Sequence, residues 1–539
     1  MLRLVSSTVG PIPVAAGGSG PSQTVEAYNA GDGSLNLSVS VPSTVTWLAA
    51  TTAASRACAT TTAAANCVPL NFTLNTSSLT GGKTYTAVVT VTDASSATID
   101  APQTITVTVQ VGAVVSVYVA PGSSQDIPIT TNHKWTSTHA TTQDGNNWLS
   151  LVLEGTGSFR FVFPYSIHIQ PTAGMGVGTY NGSVTTSGSS VAGENVTIPV
   201  TMQVTTQPIA QAVPGQISLR MAQGAPPLVY PFDPLITVAN IGQGTLTTGA
   251  FTTTGGSWLK PDPSVPAFLA IDPTGLSPGD NTGSVTIPTN AVSAPVTIPV
   301  DLQIVAKGAP YIYYQGVLDN GTFVPGDTVA QGDVMVVKGE QLSFSPFTEG
   351  QAPPLANQVG GATILVNGKQ APLFYSSYGQ LAFQMPVDTQ LGTALVEVQR
   401  DGLTSNTVSV NVAQRAPRII AVVNQDGSVN TPDGSHPAHV GDELVIYAIG
   451  LGPTSPAVAT GAPAPSAEPL ARVYDALVSF GGGFLAPRVV PDYAGLTPTF
   501  AGLYQVNVQV PAESPKGIVN LSVGFPDSRS NALQIAIQQ

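Results

Sequence analysis

Gly502-Leu503-Tyr504-Gln505-Val506-Asn507-Val508-Gln509-Val510-Pro511 alternates apolar and polar residues and stops at a proline. That is the period-2 signature of a half-buried strand, ended by a residue with no amide to donate. The stretch has an echo at Gly379-Gln380-Leu381-Ala382-Phe383-Gln384-Met385-Pro386. Setting Gln380 on Gln505, Gln384 on Gln509 and Pro386 on Pro511 gives one offset, 125 residues. The same offset carries Ser405-Asn406-Thr407-Val408 onto Ser530-Asn531-Ala532-Leu533. Two copies of one β-domain therefore lie in tandem. By alternation, the Gln and Asn side chains of the duplicated strand point away from the core, toward solvent or a neighbouring subunit.

The N-terminal part repeats as well. Trp47-Leu48, Trp148-Leu149 and Trp258-Leu259 are each followed by a Gly-rich turn and a strand that begins near Tyr85, Tyr180 or Asn281. Each unit then closes on an alternating strand, Thr104 to Val111, Val196 to Val204 and Val296 to Ile304, with Gln110, Gln203 and Gln303 in the same place. Three markers in one order, three times over, define repeats of about 100 residues. Short strands and regular turns at that length read as antiparallel immunoglobulin-type sandwiches.

Trp-Leu, then Gly178-Thr179-Tyr180-Asn181-Gly182, then a Val-Thr-Ile-Pro-Val strand resembles the BACON family of immunoglobulin-like domains over about residues 1–306. The third unit departs from that pattern at Asn281. The resemblance implies a secreted bacterial protein with a role in carbohydrate or mucin binding. From Gly308 the pattern changes. Val423-Asn424-Gln425-Asp426-Gly427-Ser428-Val429-Asn430, Ile449-Gly450-Leu451-Gly452-Pro453 and Gly502 to Pro511 resemble the Solibacter-type C-terminal domain of large secreted acidobacterial proteins. That family implies an extracellular location and an IPT/TIG-like β-fold, and no activity.

The expected fold class is all-β: a serial array of about five immunoglobulin-like β-sandwich domains forming an elongated rod. The expected domains are residues 1–112, 113–206, 207–307, 308–415 and 416–539, joined by short linkers such as Thr206-Gln207-Pro208 and Lys307-Gly308-Ala309-Pro310. Composition agrees, since only 9% of the 539 residues are charged and 6% aromatic, with 55 Gly and 46 Pro. A helix-rich enzyme needs periodic blocks of Leu, Glu, Lys and Ala instead. The net charge of −13 is spread thinly and argues against nucleic acid and anionic membranes as partners, both of which select clustered Lys and Arg. The longest apolar run, Val111 to Ala120, is about half of the ~20 residues a spanning helix requires. The opening Met1-Leu2-Arg3-Leu4-Val5-Ser6-Ser7 lacks the apolar core of a signal peptide.

The two cysteines, Cys58 and Cys67, are spaced for a disulfide closing a local loop, which implies an oxidising compartment. No catalytic constellation is found: there is no His-Glu-x-x-His, P-loop, Rossmann fingerprint or Gly-x-Ser-x-Gly elbow. We expect no enzyme, cofactor or metal. His133, Trp135 and His139 cluster, and His436 and His439 follow the Asp433-Gly434 turn, but exposed loop histidines are commoner than metal pairs. Asn424, Asp426, Asn430 and Asp433 form an oxygen-rich loop open to a calcium reading, against which Asp426-Gly427 reads more simply as a hairpin turn.

Trp47, Trp148 and Trp258 are expected in sandwich cores. Trp135 lies outside the repeat and is expected at the surface. With Tyr311, Tyr313 and Tyr314 it makes the set of candidate ligand-facing aromatics, although Tyr311 and Tyr313 also fit a strand edge packed on the third domain. The function expected is a non-enzymatic extracellular structural or interaction protein: a cell-surface stalk, adhesin or polymerising filament subunit that self-associates head-to-tail or by edge strands. The alternative is a carbohydrate-binding protein acting on polysaccharide or mucin surfaces.

Overall fold

The computed structural model describes the chain except residues 15–16, 32, 62, 81–82, 96–97, 99–100, 112–114, 132–133, 155–162, 189–196, 229–233, 266, 483–485 and 539. His133 and Val196, which entered the sequence reading, lie outside the described residues. Every named element is a β-strand. Among the described residues no helix is long and apolar enough to cross a membrane. The chain divides into two compact units, Met1–Gln223 with Pro227–Ala306, and Gly224–Pro226 with Lys307–Gln539. The fold is the all-β series of immunoglobulin-like sandwiches expected from the repeats.

One pairing recurs along the chain. Thr8–Val14 runs parallel to Gln103–Val111, Val115–Val119 to Thr197–Val204, and Ile217–Ala222 to Val296–Val305. In the second unit Val329–Ala330 runs parallel to Val408–Ala413, and Ala438–His439 to Leu533–Gln538. Each time an early strand of a sandwich joins its last strand, while the other ladders are antiparallel. This is why the closing strands in the sequence repeat so regularly. They sit between two neighbours, and one face is buried along their whole length, as the strictly alternating burial of Thr197–Val204 and Val296–Val305 shows.

The Trp-Leu markers are core residues. Trp47, Trp148 and Trp258 are all buried, and the indole N–H groups of two of them are satisfied locally, Trp148 donating to Asp144 Oδ1 at 3.1 Å and Trp258 to the Gly255 carbonyl at 2.7 Å. The glycine two residues after Tyr180 is there for contact. A Cβ on Gly182 would fall 2.6 Å from the Thr141 carbonyl oxygen and 3.3 Å from the Trp148 ring, and Gly283 faces Trp258 in the same way. The Tyr180 hydroxyl donates to the Gly176 carbonyl at 3.0 Å, a turn-pinning bond of the kind sandwiches use at their corners.

Cys58 and Cys67 are bonded to each other. Their loop is also held by the buried carboxylate of Glu26, which accepts from the Ala59 and Thr60 amides at 2.8–3.0 Å and pairs with Arg56 at 2.6 Å. Burial pushes the Glu26 carboxyl up, but the hydrogen bond from the Thr60 hydroxyl, then those amides and the Arg56 charge, hold it below its usual range.

The duplicated Ser-Asn motif explains itself in the second unit. Ser405 N donates to the Val398 carbonyl and its Oγ accepts from Val398 N, while Ser530 does the same with Val523. Asn406 Oδ1 accepts from Ile312 N at 2.8 Å and its Nδ2 donates to the Ile312 carbonyl at 3.0 Å. Asn531 makes the identical pair with Ile419, at 2.7 and 3.1 Å. One asparagine amide thus stands in for a strand partner and ties the first strand of each sandwich to the entry of its last. Asn406→Ala and Asn531→Ala should each lower the stability of this unit by ~1–3 kcal/mol, because two buried backbone groups lose their partner. Urea denaturation checks this against Asn411→Ala, whose exposed amide reaches only Thr328 Oγ1 and which should change stability by less than about 0.5 kcal/mol.

Candidate functional site

Several buried polar groups of the second unit lie where its two sandwiches meet. Gly332 turns the chain at φ 72°, and Asp333 follows it with no exposed surface. Asp333 Oδ2 accepts from Ala330 N at 3.1 Å and Oδ1 from Val334 N at 2.9 Å. The repeat mate Asp442 builds the same turn, accepting from His439 N at 2.7 Å. The two turns differ in surroundings. Asp442 is partly exposed, whereas a Cβ on Gly450 of the following sandwich would meet Asp333 Oδ2 at 3.3 Å.

Gln384, paired in register with Val334, closes this joint. Its Oε1 accepts from Gly461 N at 2.6 Å and its Nε2 donates to the Gly332 carbonyl at 3.2 Å. Val387 N donates to Thr460 Oγ1 at 3.0 Å, and Leu355 N to the Gly461 carbonyl at 2.9 Å. On the other flank Arg418 reaches Asp327 at 2.8 Å and the buried Asp319 at 3.7 Å. Asp319 is further satisfied by Gly321 N, Thr322 N and Thr322 Oγ1 at 2.6–2.9 Å. Tyr504 from the opening stretch is buried here, and its hydroxyl donates to the Gly452 carbonyl at 2.6 Å. Burial first, and the neighbouring Asp333 charge second, push that hydroxyl well above the ordinary phenol range. A cleft of about 140 Å³ remains, lined by Gln331, Gln384, Val387, Pro453, Leu496 and Tyr504 among others.

The Gln and Asn of the duplicated strand are expected to point away from the core, toward solvent or a neighbouring subunit, and at Gln384 the joint corrects this. Gln384 is buried, Gln380 and Gln505 are half-buried, and Gln509 alone of the four is exposed. Alternation assigns a side chain to a face of its own sheet. It does not register that a second sandwich covers the end of that sheet.

The candidate aromatics need the same correction. Trp135 is 2% exposed, its ring 4.5 Å from that of Tyr165, whose hydroxyl accepts from Trp135 N at 3.1 Å. It belongs to the core of its sandwich and is no surface aromatic. Tyr311 is 6% exposed. Tyr313 and Tyr314 are half-buried, and the Tyr313 hydroxyl donates to Glu340 Oε1 at 3.0 Å. A bulge between Ile312 and Val317 interrupts the alternation here. Burial thus takes Trp135 and Tyr311 out of the set of ligand-facing aromatics, while Tyr313 and Tyr314 keep part of their surface.

The oxygens of the Asn424–Asp433 loop are likewise committed. Asn430 Oδ1 accepts from Ala536 N at 2.7 Å and its Nδ2 donates to Asn424 Oδ1 at 2.9 Å. Asn424 Nδ2 donates to Ser428 Oγ and the His436 carbonyl. Asp426 is taken by Ser428. Asp433 is taken by Thr431 and Ser435, whose hydrogen bonds draw its carboxyl down to about 2. Asp426-Gly427 forms the hairpin turn, with Gly427 at φ 84° and the Asn424 and Ser428 backbones bonded across it. The loop is a strand clasp. Among the described residues no three His, Cys, Asp or Glu side chains gather as metal ligands.

Sequence reasoning missed Arg400. It is buried at the end of strand Gly392–Arg400, donating to the Gln341 carbonyl at 2.8 Å, the Gly308 carbonyl at 2.6 Å and Asp401 at 2.7 Å. Its guanidinium also lies 4.5 Å from the Phe344 ring centre. A lone arginine ending an alternating strand before an Asp-Gly turn was the available signal.

No protein-family model matches the chain, and no curated protein sequence matches it. Among solved structures it is similar to the protocadherin gamma B4 extracellular domain, at 13% identity over 100% of this chain and 84% of that one, with a TM-score of 0.14. Drosophila N-cadherin EC1-4 is similar at 10% identity over 79% and 99%, TM-score 0.18. The endo-fucoidan hydrolase MfFcnA4 from glycoside hydrolase family 107 is similar at 12% identity, TM-score 0.16. The match covers 56% of this chain and only 43% of that enzyme.

The joint makes stability depend on pH. Burial raises the Asp333 carboxyl from its usual value to about 7, with a smaller push from Asp319 and partial relief from its two amide donors and Arg418. The folded unit therefore holds a proton that the unfolded chain releases near pH 4. The stability this contributes is complete below pH 4 and is lost as pH rises toward 7, by no more than ~1.4 kcal/mol per pH unit. Asp333→Asn should flatten this slope between pH 4 and 7, read from denaturation midpoints across that range. An unchanged slope would assign the proton elsewhere.

Proposed function

We propose that the chain is an extracellular, non-enzymatic structural or interaction protein: a cell-surface stalk, an adhesin or a subunit of a polymerising filament. The observation that carries this reading is the use of the recurrent side chains. The Trp-Leu pairs build cores, and Asn406 and Asn531 tie first strands to last strands; Gln384, Arg418 and Asp333 join one sandwich to the next, a role that the repeat mates Asp442 and Gln509 do not share. Residues that recur along the chain thus serve its mechanical continuity. The Cys58–Cys67 bond favours an oxidising compartment. The resemblance of both halves to secreted bacterial domains supports the same location.

Self-association, head-to-tail or through edges, is part of this proposal. Ser137–Thr142 ends its sheet and is exposed along most of its length, the kind of strand that either stays protected or recruits a neighbour.

Cell fractionation with thiol trapping and electron microscopy tests this. We expect the protein in surface or shed material, with Cys58 and Cys67 refractory to alkylation until reduced. Recovery of the dithiol form from the cell interior alone would overturn the location. Monodisperse single particles at every concentration and salt would remove the filament form.

A further inference from the structure

We propose that the chain transmits tension, and that its three N-terminal sandwiches are built to resist it while its two C-terminal sandwiches yield first. This deepens the stalk or filament reading above and rests on it for the source of the force.

Strand direction decides how a sandwich meets a pull. Two parallel strands at the entry and exit of a sandwich are pulled from opposite ends when the chain is stretched. Their hydrogen bonds then lie across the force and must strain together. An antiparallel entry and exit pair would be pulled from one end and would open bond by bond. Each of the five parallel pairings joins an early strand of a sandwich to its last strand.

The pairings differ in extent. Val115–Val119 matches Val200–Val204 over five consecutive positions, and Ile217–Ala222 matches Val300–Val305 over six. Thr8–Val14 matches its partner at five positions with one irregularity between Val9 and Ile12. In the second unit only Val329 and Ala330, and only Ala438 and His439, are so paired.

As in the first and third sandwiches, where Leu2–Leu4 and Ala210–Val213 come first, the chain here enters through an antiparallel strand of the opposite sheet, Tyr311–Asp319 or Arg418–Val423. Their ties to the last strand are the single amides of Asn406 and Asn531. Arg400 adds a hold on Gly308 in the first of the two. Tension entering these sandwiches meets a few side-chain bonds and then a parallel pairing of only two positions, which leaves few backbone bonds to strain together.

The test is force spectroscopy on the full chain held at its two ends, where opening is a matter of rate under load. We expect high-force events for the first three sandwiches, at least twofold above those of the C-terminal two. The first sandwich is identified by reduction of Cys58–Cys67, which frees a separation of 9 residues and lengthens its release by ~3 nm. Val117→Pro and Leu219→Pro each remove a donor from a parallel pairing and should lower the force of their own sandwich alone by at least twofold. Thr138→Pro, on the edge strand Ser137–Thr142, should leave the second sandwich's force nearly unchanged.

A second geometry needs no disruptive variant. Handles on Ser124→Cys and Gln207→Cys, both just past the same end of the Val115–Val119 pairing, peel it and should open that sandwich at half the end-to-end force or less. Equal forces in the two geometries, or N-terminal sandwiches no stronger than the C-terminal pair, overturn the proposal. High forces in a protein recovered only from the cell interior would instead overturn the extracellular reading and leave the mechanics standing.

Discussion

The closing of each sandwich by its own last strand is the constraint on which the rest depends. A sheet edge leaves backbone amides and carbonyls without partners, and the last strand cannot bury its inner face until both of its neighbours are in place. In the N-terminal unit a parallel early strand paired at five or six positions supplies one of those neighbours. In the C-terminal unit that strand is cut to two residues, and the deficit is met by an asparagine side chain that acts as one more backbone unit. The cores form around these closures: Val200, Met202 and Val204 in one sandwich, Ile535 and Ile537 in another.

The joint in the C-terminal unit shows what happens when an end of one sandwich becomes the floor of the next. Gly332-Asp333 and Gly441-Asp442 are the same turn, but burial makes the first a proton-holding group and leaves the second an ordinary solvated one. Gln384 and Gln509 diverge for the same reason. Desolvation sets the difference: once water is excluded, a carboxylate is costly and an amide must find partners within the protein. The joint supplies them through Gly461, Gly332 and the Arg418 pairings, beside apolar side chains such as Val387 and Leu496.

The parts of this molecule legible in the sequence were the periodic ones. Strand alternation, Trp-Leu markers, the 125-residue echo and the Ser-Asn motif are all local or repeated, and each maps onto one structural job. Cys58 and Cys67 were legible because nine positions of separation leave few alternatives. Trp135, Tyr311, Gln384 and Arg400 were not, because each depends on a group distant in sequence: Tyr165 for Trp135, Glu340 across the ladder from Tyr311, Gly461 for Gln384, Gly308 for Arg400. Trp135 and Tyr311 left the set chosen for ligand contact on this ground, since exposure is a property of the packed sandwich.

By itself, then, the sequence determined a series of β-sandwiches, their order, the disulfide and the kinship of the last two, because pleat and repeat are written residue by residue. Tertiary structure alone decided which polar residues are spent inside. It set the direction in which early and last strands pair, and it turned the Gln of the opening strand into a latch in one copy and a solvated side chain in the other. The physical reason is that burial and strand direction are relations between segments, and a repeated motif has the same letters wherever its neighbour happens to lie.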